Sequence, residues 1–386
     1  MLFTADLHLG DETDTVKIRQ WMTSKLFDTV ARLREMVDRA AETRQSLVIG
    51  GDVFDTSSPK PYVVHEFFSI LLYAASAGVP IFILAGNHDA SISWTALLMT
   101  NGIASGSVTI IHEPTYVVID GMRCFVLPHL PKSDEAELFD TIGLPRGRYD
   151  EFLQQSYKEK KFHVLLTHAD ILGHTASAER VMEAGNAIVL PLPQLPRVRY
   201  ILTGHVHAHQ ILQHGGIHAY YSGSLVPHSF GEIEDEKCYI EFVEGSEPTF
   251  VAFKTPMTRQ YKQIKINMTD KAEFDATDEQ LKRRIGDTLL KVIVVVKDRR
   301  QIDLRAIIRR LSQFATVLRY EIVETSKMQP VVLNRSKQRA VHRGSLQHGD
   351  LLKQALSNLD REMYNDKAIE LAQQYGEEII QSCSKR

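Results

Sequence analysis

Five short segments of this 386-residue chain carry side chains that bind cations, each immediately behind an apolar run. Asp6 and His8 follow LFTA at 2–5, and Asp52 and Asp55 follow SLVIG at 46–50. Asn87, His88 and Asp89 follow PIFIL at 80–84. His168 follows HVLLT at 163–167, and His205 and His207 follow RYILT at 199–203. One Asp-x-His arises often by chance; five such clusters, each at the end of a strand-length run, do not. Ligands of open α/β sheets bind at the carboxyl ends of strands, so five distant segments can meet in one place. Imidazole, carboxylate and amide donors without a thiolate suit Mn²⁺ or Mg²⁺, with Fe²⁺ or Zn²⁺ also compatible. The donors are too many for one ion. Two ions sharing a carboxylate would activate a water and clamp the oxygens of an in-line displacement at phosphorus. Phosphate-ester hydrolysis is the chemistry such a set could do.

The elements that must position these residues are legible as a pattern. The five apolar runs alternate with helix-like stretches at 24–43 and 62–77, which predicts an α/β sandwich with largely buried strands. Residues 107–127 read as a β-meander, with breaks at Glu113-Pro114 and Asp120-Gly121. Residues 217–253 repeat the short-strand texture, so a second sheet is expected. A break falls near Lys254-Thr255-Pro256. Beyond it come strands at 261–266, 291–296 and 317–323 with helices near 277–285 and 303–313, a small α+β capping domain. The division expected is therefore 1–254, 255–325, a basic linker over 326–349, and a helical segment over 350–386. In that last segment Leu352, Leu356, Leu359 and Met363, then Ala368, Leu371, Tyr375 and Ile379, recur at helical spacing.

Composition narrows the class. With 44% hydrophobic and 24% charged residues the chain falls among ordinary globular proteins rather than disordered or fibrous ones. No apolar run reaches the roughly 20 residues of a membrane span, and the N-terminus has no signal-peptide pattern. Cys124, Cys238 and Cys383 are too few and too scattered for a disulfide framework, so a reducing, cytoplasmic compartment is expected (host cytoplasm for a viral chain). The net charge of −3 conceals two halves: residues 1–254 sum to −11 and residues 255–386 to +8. An acidic lobe suits bound cations, and a basic one suits a polyanion. No GxxxxGK[ST] loop occurs, so the chain is not itself a P-loop ATPase.

Asp6-Leu-His8, Gly51-Asp52-Val-Phe-Asp55, Gly86-Asn87-His88-Asp89, Thr167-His168 and Gly204-His205-Val-His207 together resemble the motif set of calcineurin-like metallophosphoesterases. The opening Thr4-Ala5-Asp6-Leu-His8-Leu-Gly10, the stretch Gly50-Gly51-Asp-Val-Phe-Asp-Thr-Ser-Ser-Pro59, and Tyr221-Ser-Gly-Ser-Leu-Val-Pro-His-Ser-Phe-Gly-Glu232 are similar to the SbcD branch, nuclease subunits of repair and recombination complexes. The resemblance implies that Asp6, His8, Asp52 and His207 hold one ion. Asp52, Asn87, His168 and His205 would hold the other, Asp52 bridging. It implies two divalent ions, Mn²⁺ foremost and Mg²⁺ as the alternative. His88 would contact the scissile phosphate and protonate the leaving oxygen, with Asp55 orienting it. DNA would be the substrate, cut at double-stranded ends and at single strands or hairpins in repair, recombination and replication. An SbcC-like ABC/SMC-type ATPase would dock on 350–386. A homodimer is implied too, with Val63, Phe67, Ile70 and Leu71 on the helix at 62–77 as the candidate face. A metallophosphatase or nucleotide phosphodiesterase with the same two-ion site is the competing reading.

Two departures bear on transfer. Archaeal and eukaryotic relatives carry His where Asp55 stands, so their rules for separating exo- from endonuclease activity need not apply. The first strand is also short, although no ligand is lost. Among other residues, His209 is read as lying behind the ligands or on the surface. His129, Asp89, His174 and Ser177 are read as structural or loop residues. In the basic lobe Arg283, Arg284, Arg299 and Arg300 are the candidate DNA contacts. Lys282, Arg309 and Arg310 cannot all share their face, because neighbouring helix positions point apart.

Overall fold

A computed structural model describes residues 1–89, 91–100, 106–129, 164–171, 189–190, 198–233, 235–268, 288–297, 303–313 and 315–324. The chain begins β1 (Leu2–Thr4), α1 (Ser24–Thr43), β2 (Leu47–Ile49), α2 (Pro61–Ser76), β3 (Ile81–Leu84), α3 (Trp94–Thr100) and β4 (Val108–Ile111). It continues β5 (Thr115–Ile119), β6 (Met122–Leu127), β7 (Val164–His168), β8 (Asp170–Ile171), β9 (Val189–Leu190), β10 (Tyr200–Gly204), β11 (Gln210–His214) and β12 (Ile217–Tyr221). It ends β13 (Cys238–Glu241), β14 (Thr249–Ala252), β15 (Gln260–Asn267), β16 (Thr288–Val296), α4 (Leu304–Leu311) and β17 (Thr316–Glu324). All belong to one compact unit, Met1–Thr325.

Two six-stranded sheets form the sandwich. The first has the order β14-β13-β1-β2-β3-β4 and the second β11-β12-β10-β7-β6-β5. Strands β1 to β4 are parallel, as are β6, β7, β10 and β12, so their carboxyl ends open toward one edge of the sandwich. Alternation along the short strands divides the apolar side chains. Phe3, Ala5, Val48 and Leu84 point inward to meet Val126, Leu166, Leu202 and Tyr220 of the second sheet. Leu2, Leu47, Ile49, Ile81 and Ile83 point outward into a layer formed with α1 and α2. Burial on both faces is why these strands read as continuous apolar runs.

The helices are set by local signals. Thr23 caps α1 by accepting from the Leu26 amide, and Arg44 ends it in a left-handed conformation. Pro61 opens α2, where its missing N–H costs nothing. Val63, Phe67, Ile70, Leu71 and Ala74 form the buried stripe of α2. The side chains expected to form a dimer face are therefore in the core, where Phe67 stacks edge-on against Phe54 and Phe68.

The meander expected over 107–127 is corrected. β4 pairs in parallel with β3 in the first sheet, whereas β5 and β6 form an antiparallel hairpin in the second. The chain changes sheets at Glu113-Pro114, where proline lacks the donor needed to continue a ladder. Asp120 and Gly121, both at positive φ, make the tight hairpin turn. The strands over 217–253 likewise divide: β12 lies in the second sheet, β13 and β14 in the first. A third sheet, β15-β16-β17, is wholly parallel and has its own core around Val292, Val294, Ile307 and Leu311. The helix expected near 277–285, the linker over 326–349 and the segment 350–386 lie outside the described residues. No helix among the described residues is long and apolar enough to cross a membrane.

Truncating Phe67 to Ala should lower stability by about 3–5 kcal/mol, the cost of a large cavity in a packed core. Urea unfolding at several protein concentrations checks this. A loss that vanishes at high concentration would return the residue to a subunit interface.

Candidate metal centre

The loops that follow β1 and β2 run side by side after the sheet ends. The amides of Asp6, His8 and Leu9 donate to the carbonyls of Gly51, Asp52 and Val53, at 3.1, 3.0 and 2.9 Å. This extension fixes both loops before any metal is considered. It also forces Asp6, His8 and Asp52 into positive φ, at 55°, 40° and 52°, with His205 at 85° opposite them. Such backbone is costly outside glycine and collects at functional sites.

The side chains converge. His8 Nε2 and His207 Nε2 lie 3.1 Å apart. Asp52 Oδ2 lies 3.5 Å from His8 Nε2 and 3.4 Å from His168 Nε2. Asn87 Oδ1 faces His168 Nε2 at 3.0 Å and His205 Nδ1 at 3.1 Å. Asp6, His8 and His207 each bring a donor atom within 4.8 Å of the others, as do Asp6, Asp52 and His168, and as do His8, Asp55 and His88. Asp6 also accepts from the His205 amide at 2.9 Å. All the expected ligands but Asn87 thus carry a carboxylate or imidazole group into one small volume.

The far sides of the rings decide which nitrogen faces inward. His168 Nδ1 donates to the Gly50 carbonyl at 2.7 Å. His8 Nδ1 lies 3.2 Å from Asp55 Oδ1, and His207 Nδ1 lies 3.1 Å from Glu232 Oε1. An acceptor at Nδ1 keeps the proton there, leaving the Nε2 lone pair for a cation, the usual arrangement of a metal-binding histidine. His205 is turned round: its Nε2 faces Asp170 at 3.6 Å and its Nδ1 faces Asn87. Converging lone pairs and carboxylates, with the outer nitrogens anchored, fit divalent cations.

Electrostatics agree with that fit. Burial pushes the Asp6 carboxyl up, and the charge on Asp52 adds to it, against the pull of His168. Burial acts on Asp52 too, but His168 and His8 outweigh it and hold that carboxyl well below the usual range. Burial would lower His168, yet Asp52 and Asp6 raise it to about 9. Positive charge on His168 thus offsets the buried carboxylates, a role that divalent ions would take over.

His88 sits at the mouth, half-buried. Its amide donates to Asp52 Oδ1 at 2.9 Å and its Nδ1 to the Asp55 main-chain carbonyl at 2.7 Å. The orienting contact expected from the Asp55 carboxylate is therefore corrected, since that carboxylate lies against His8. The reason is local: the turn after β2 presents the Asp55 carbonyl to His88 and its side chain to the neighbouring loop. Asp89 holds structure, accepting from the Gly86 and Val53 amides at 2.7 and 2.6 Å. Burial and the nearby Asp52 raise it to about 6. His209 packs against Phe250 with ring centroids 5.0 Å apart, and the His129 ring stands 6.1 Å from that of His168. His174, Ser177, Lys282, Arg283, Arg284, Arg299 and Arg300 lie outside the described residues. Arg309 and Arg310 end α4, both exposed.

A buried polar network stands behind the ligands, and no sequence pattern marks it as a whole. Lys25, 3% exposed, pairs with Asp11 Oδ2 at 2.6 Å, and Asp11 also takes His228 Nδ1 at 2.9 Å. Glu232 bridges His207 to Lys237, whose Nζ lies 3.1 Å from Oε2. Burial would raise Glu232, but His207 and Lys237 hold it far below the carboxylate range. Burial pushes His228 down to about 4, so it is neutral. The one sequence signal for these residues is that His228 and Glu232 fall in the stretch 221–232 that resembles the SbcD branch.

Two sheets packed face to face, with histidines and carboxylates gathered at their common strand ends, define a metal-dependent phosphoester hydrolase. Residues 1–209 match the calcineurin-like phosphoesterase family, and the chain belongs to it. The SbcD component of nuclease SbcCD from Bacillus subtilis is 28% identical over 253 residues, which are 60% of this chain and 63% of that protein. The protein of the same name from Escherichia coli is 26% identical over 295 residues, 69% of this chain and 70% of that one. The DNA double-strand break repair protein Mre11 of Archaeoglobus fulgidus is 27% identical over 236 residues, covering 57% and 48%. The match to the Bacillus protein thus spans a little under two thirds of its length.

A Cβ on Gly86 would overlap the Asp52 amide nitrogen and Oδ1. Gly86→Ala should therefore weaken Mn²⁺ binding about ten- to a hundredfold, the scale set by displaced ligand supports. Calorimetric titration of the metal-free chain reads this directly.

Proposed function

We infer that this chain is a DNA phosphodiesterase, the nuclease subunit of a repair and recombination complex. The observation that carries the reading is the donor set itself: ligands from five strand ends, suited to two ions, in a chain whose relatives are named as nucleases and a double-strand break repair protein. The ions would be Mn²⁺, with Asp6, His8, Asp52 and His207 at one and Asp52, Asn87, His168 and His205 at the other. When bound they supply a nucleophile from water and neutralise charge on the phosphate.

The chain's own groups do the rest. Asp52, buried between two imidazoles, serves both halves of the centre. His88, held by the Asp55 carbonyl through Nδ1, keeps Nε2 for the leaving oxygen and gives up its proton there when protonated. Asp55 and Glu232 fix the tautomers of His8 and His207. Substrate contacts from Arg283, Arg284, Arg299 and Arg300, an ABC-type ATPase on 350–386, and a homodimer complete the proposal. So does the division into a catalytic part over 1–254 and a cap over 255–325.

The test is cleavage of labelled duplex and hairpin DNA with Mn²⁺, beside para-nitrophenyl phosphate. Metal-dependent cutting of DNA is expected, and turnover confined to the small ester would favour a phosphatase. His88→Ala should retain two ions by elemental analysis and cut at least about a hundredfold more slowly, the usual scale for a lost general acid. Asp52→Asn should lose both cutting and metal. Deleting 350–386 should abolish co-purification with the ATPase partner and leave simple nuclease activity intact.

A further inference from the structure

The network behind the metal centre contains one buried nitrogen whose bonding is incomplete. His228, 4% exposed, packs its ring against those of His8 and His207, with centroids 4.9 and 4.6 Å away. Three contacts fix it. Its Nδ1 lies 2.9 Å from Asp11 Oδ2, its amide donates to Glu232 Oε2 at 3.1 Å, and its carbonyl accepts from Lys25 Nζ at 3.0 Å. Asp11 is already ion-paired with Lys25, so it remains a carboxylate and can only accept. The proton of the His228 ring is therefore on Nδ1, and Nε2 presents a lone pair.

That Nε2 is buried and has no hydrogen-bond partner among the described residues. A buried acceptor left unpaired costs about 1–3 kcal/mol, and native proteins rarely leave one so. The His8 and His207 rings lie beside it, but their Nε2 atoms face each other at 3.1 Å, so no described residue supplies the missing donor. His228 also stands outside the cluster in which Asp6, His8 and His207 bring donor atoms within 4.8 Å of one another. It sits one layer beyond direct ligation.

We propose that His228 Nε2 is an outer acceptor of the metal centre, taking a hydrogen bond from a water in the hydration shell of the ion held by Asp6, His8 and His207. The proposal rests on the two-ion reading above. It assigns the Lys25–Asp11–His228 chain a purpose: Lys25 keeps Asp11 ionised, Asp11 fixes the tautomer of His228, and His228 orients the water. Outer partners of this kind change metal affinity by about ten- to a hundredfold.

Two substitutions separate this role from simple support of the fold. His228→Asn keeps an amide nitrogen near the position of Nδ1, and with it the Asp11 bond, but removes the acceptor at Nε2. His228→Gln places an amide oxygen near the position of Nε2 and gives up the Asp11 bond. Calorimetric titration of the full metal-free chain with Mn²⁺ should show one of two sites weakened about ten- to a hundredfold in His228→Asn. The other site should be unchanged, and His228→Gln should stay within about threefold of the wild type. Thermal melting in chelator reports whether each variant is folded. Equal affinities in all three proteins, or a greater loss in His228→Gln than in His228→Asn, would overturn the proposal while the two-ion reading stands. If His228→Asn does not fold, a folded His228→Gln with more than about a tenfold loss overturns it alone. A wild-type chain that binds no Mn²⁺ would remove the two-ion reading and this proposal together.

Discussion

A single buried carboxylate, Asp52, ties the centre together. It is 2% exposed, and groups from three other strand ends meet it: the His8 ring, the His88 amide and the His168 ring. A carboxylate taken out of water is tolerable only where positive charge or hydrogen-bond donors surround it. Here imidazoles supply that charge, which is why His168 holds its proton to about 9. The same demand explains the crowding around it. Every nearby segment must deliver a donor or a cation ligand, and apolar side chains at these positions would leave Asp52 uncompensated.

The strands and the carboxylate and imidazole residues gathered at their ends are legible in the sequence because two simple patterns coincide. Fully apolar runs mark doubly buried strands, and polar residues directly after them mark the shared edge. The helix at 24–43 is equally plain, with a threonine cap and an amphipathic stripe. Sheet membership is not. β4 and β5 look alike in sequence, and only the proline between them hints that they separate, because periodicity gives a strand's faces and not its neighbours. Nor does the sequence reveal which side of Asp55 meets His88. Both contacts are set by a turn whose dihedrals depend on the adjoining loop. Lys25, Asp11 and Lys237 escape a reading of the sequence for a different reason. A lysine on an amphipathic helix reads as solvated surface, and burial of Lys25 to 3% follows from packing that no local pattern records.

The third sheet is joined to the sandwich by polar contacts to the same region. Asp14, buried at 8%, pairs with Arg319 of β17. Asp28 on α1 accepts from the amide and hydroxyl of Thr258, and Glu35 accepts from the amides of Lys254 and Thr255. Phe230 and Tyr261 add a ring contact at 5.6 Å. Asp14 and Asp11 lie on one short loop, and Lys25 and Asp28 lie on one helical turn. The supports of the centre and the attachment of the third sheet are therefore built from adjacent residues.

The centre concentrates unfavourable terms: four residues at positive φ and several ionisable groups out of water. Positive φ alone costs of order 1–3 kcal/mol per residue, though Asp and His bear it better than branched side chains. Such strain persists only where the surroundings over-determine the conformation. Here they do so from both sides. Asp6, His8, Asp52 and Asn87 follow strands of the first sheet, whereas His168, His205 and His207 belong to or follow strands of the second. Neither sheet alone holds the full set of donors. What sets the distance between the two halves is the layer between the sheets, Phe3, Val48 and Leu84 against Val126, Leu166 and Leu202. Close-packed interiors transmit a change of even one methylene. The separation of Asp52 from His168, which stand on different sheets, thus depends on that apolar layer as well as on the loops that carry them.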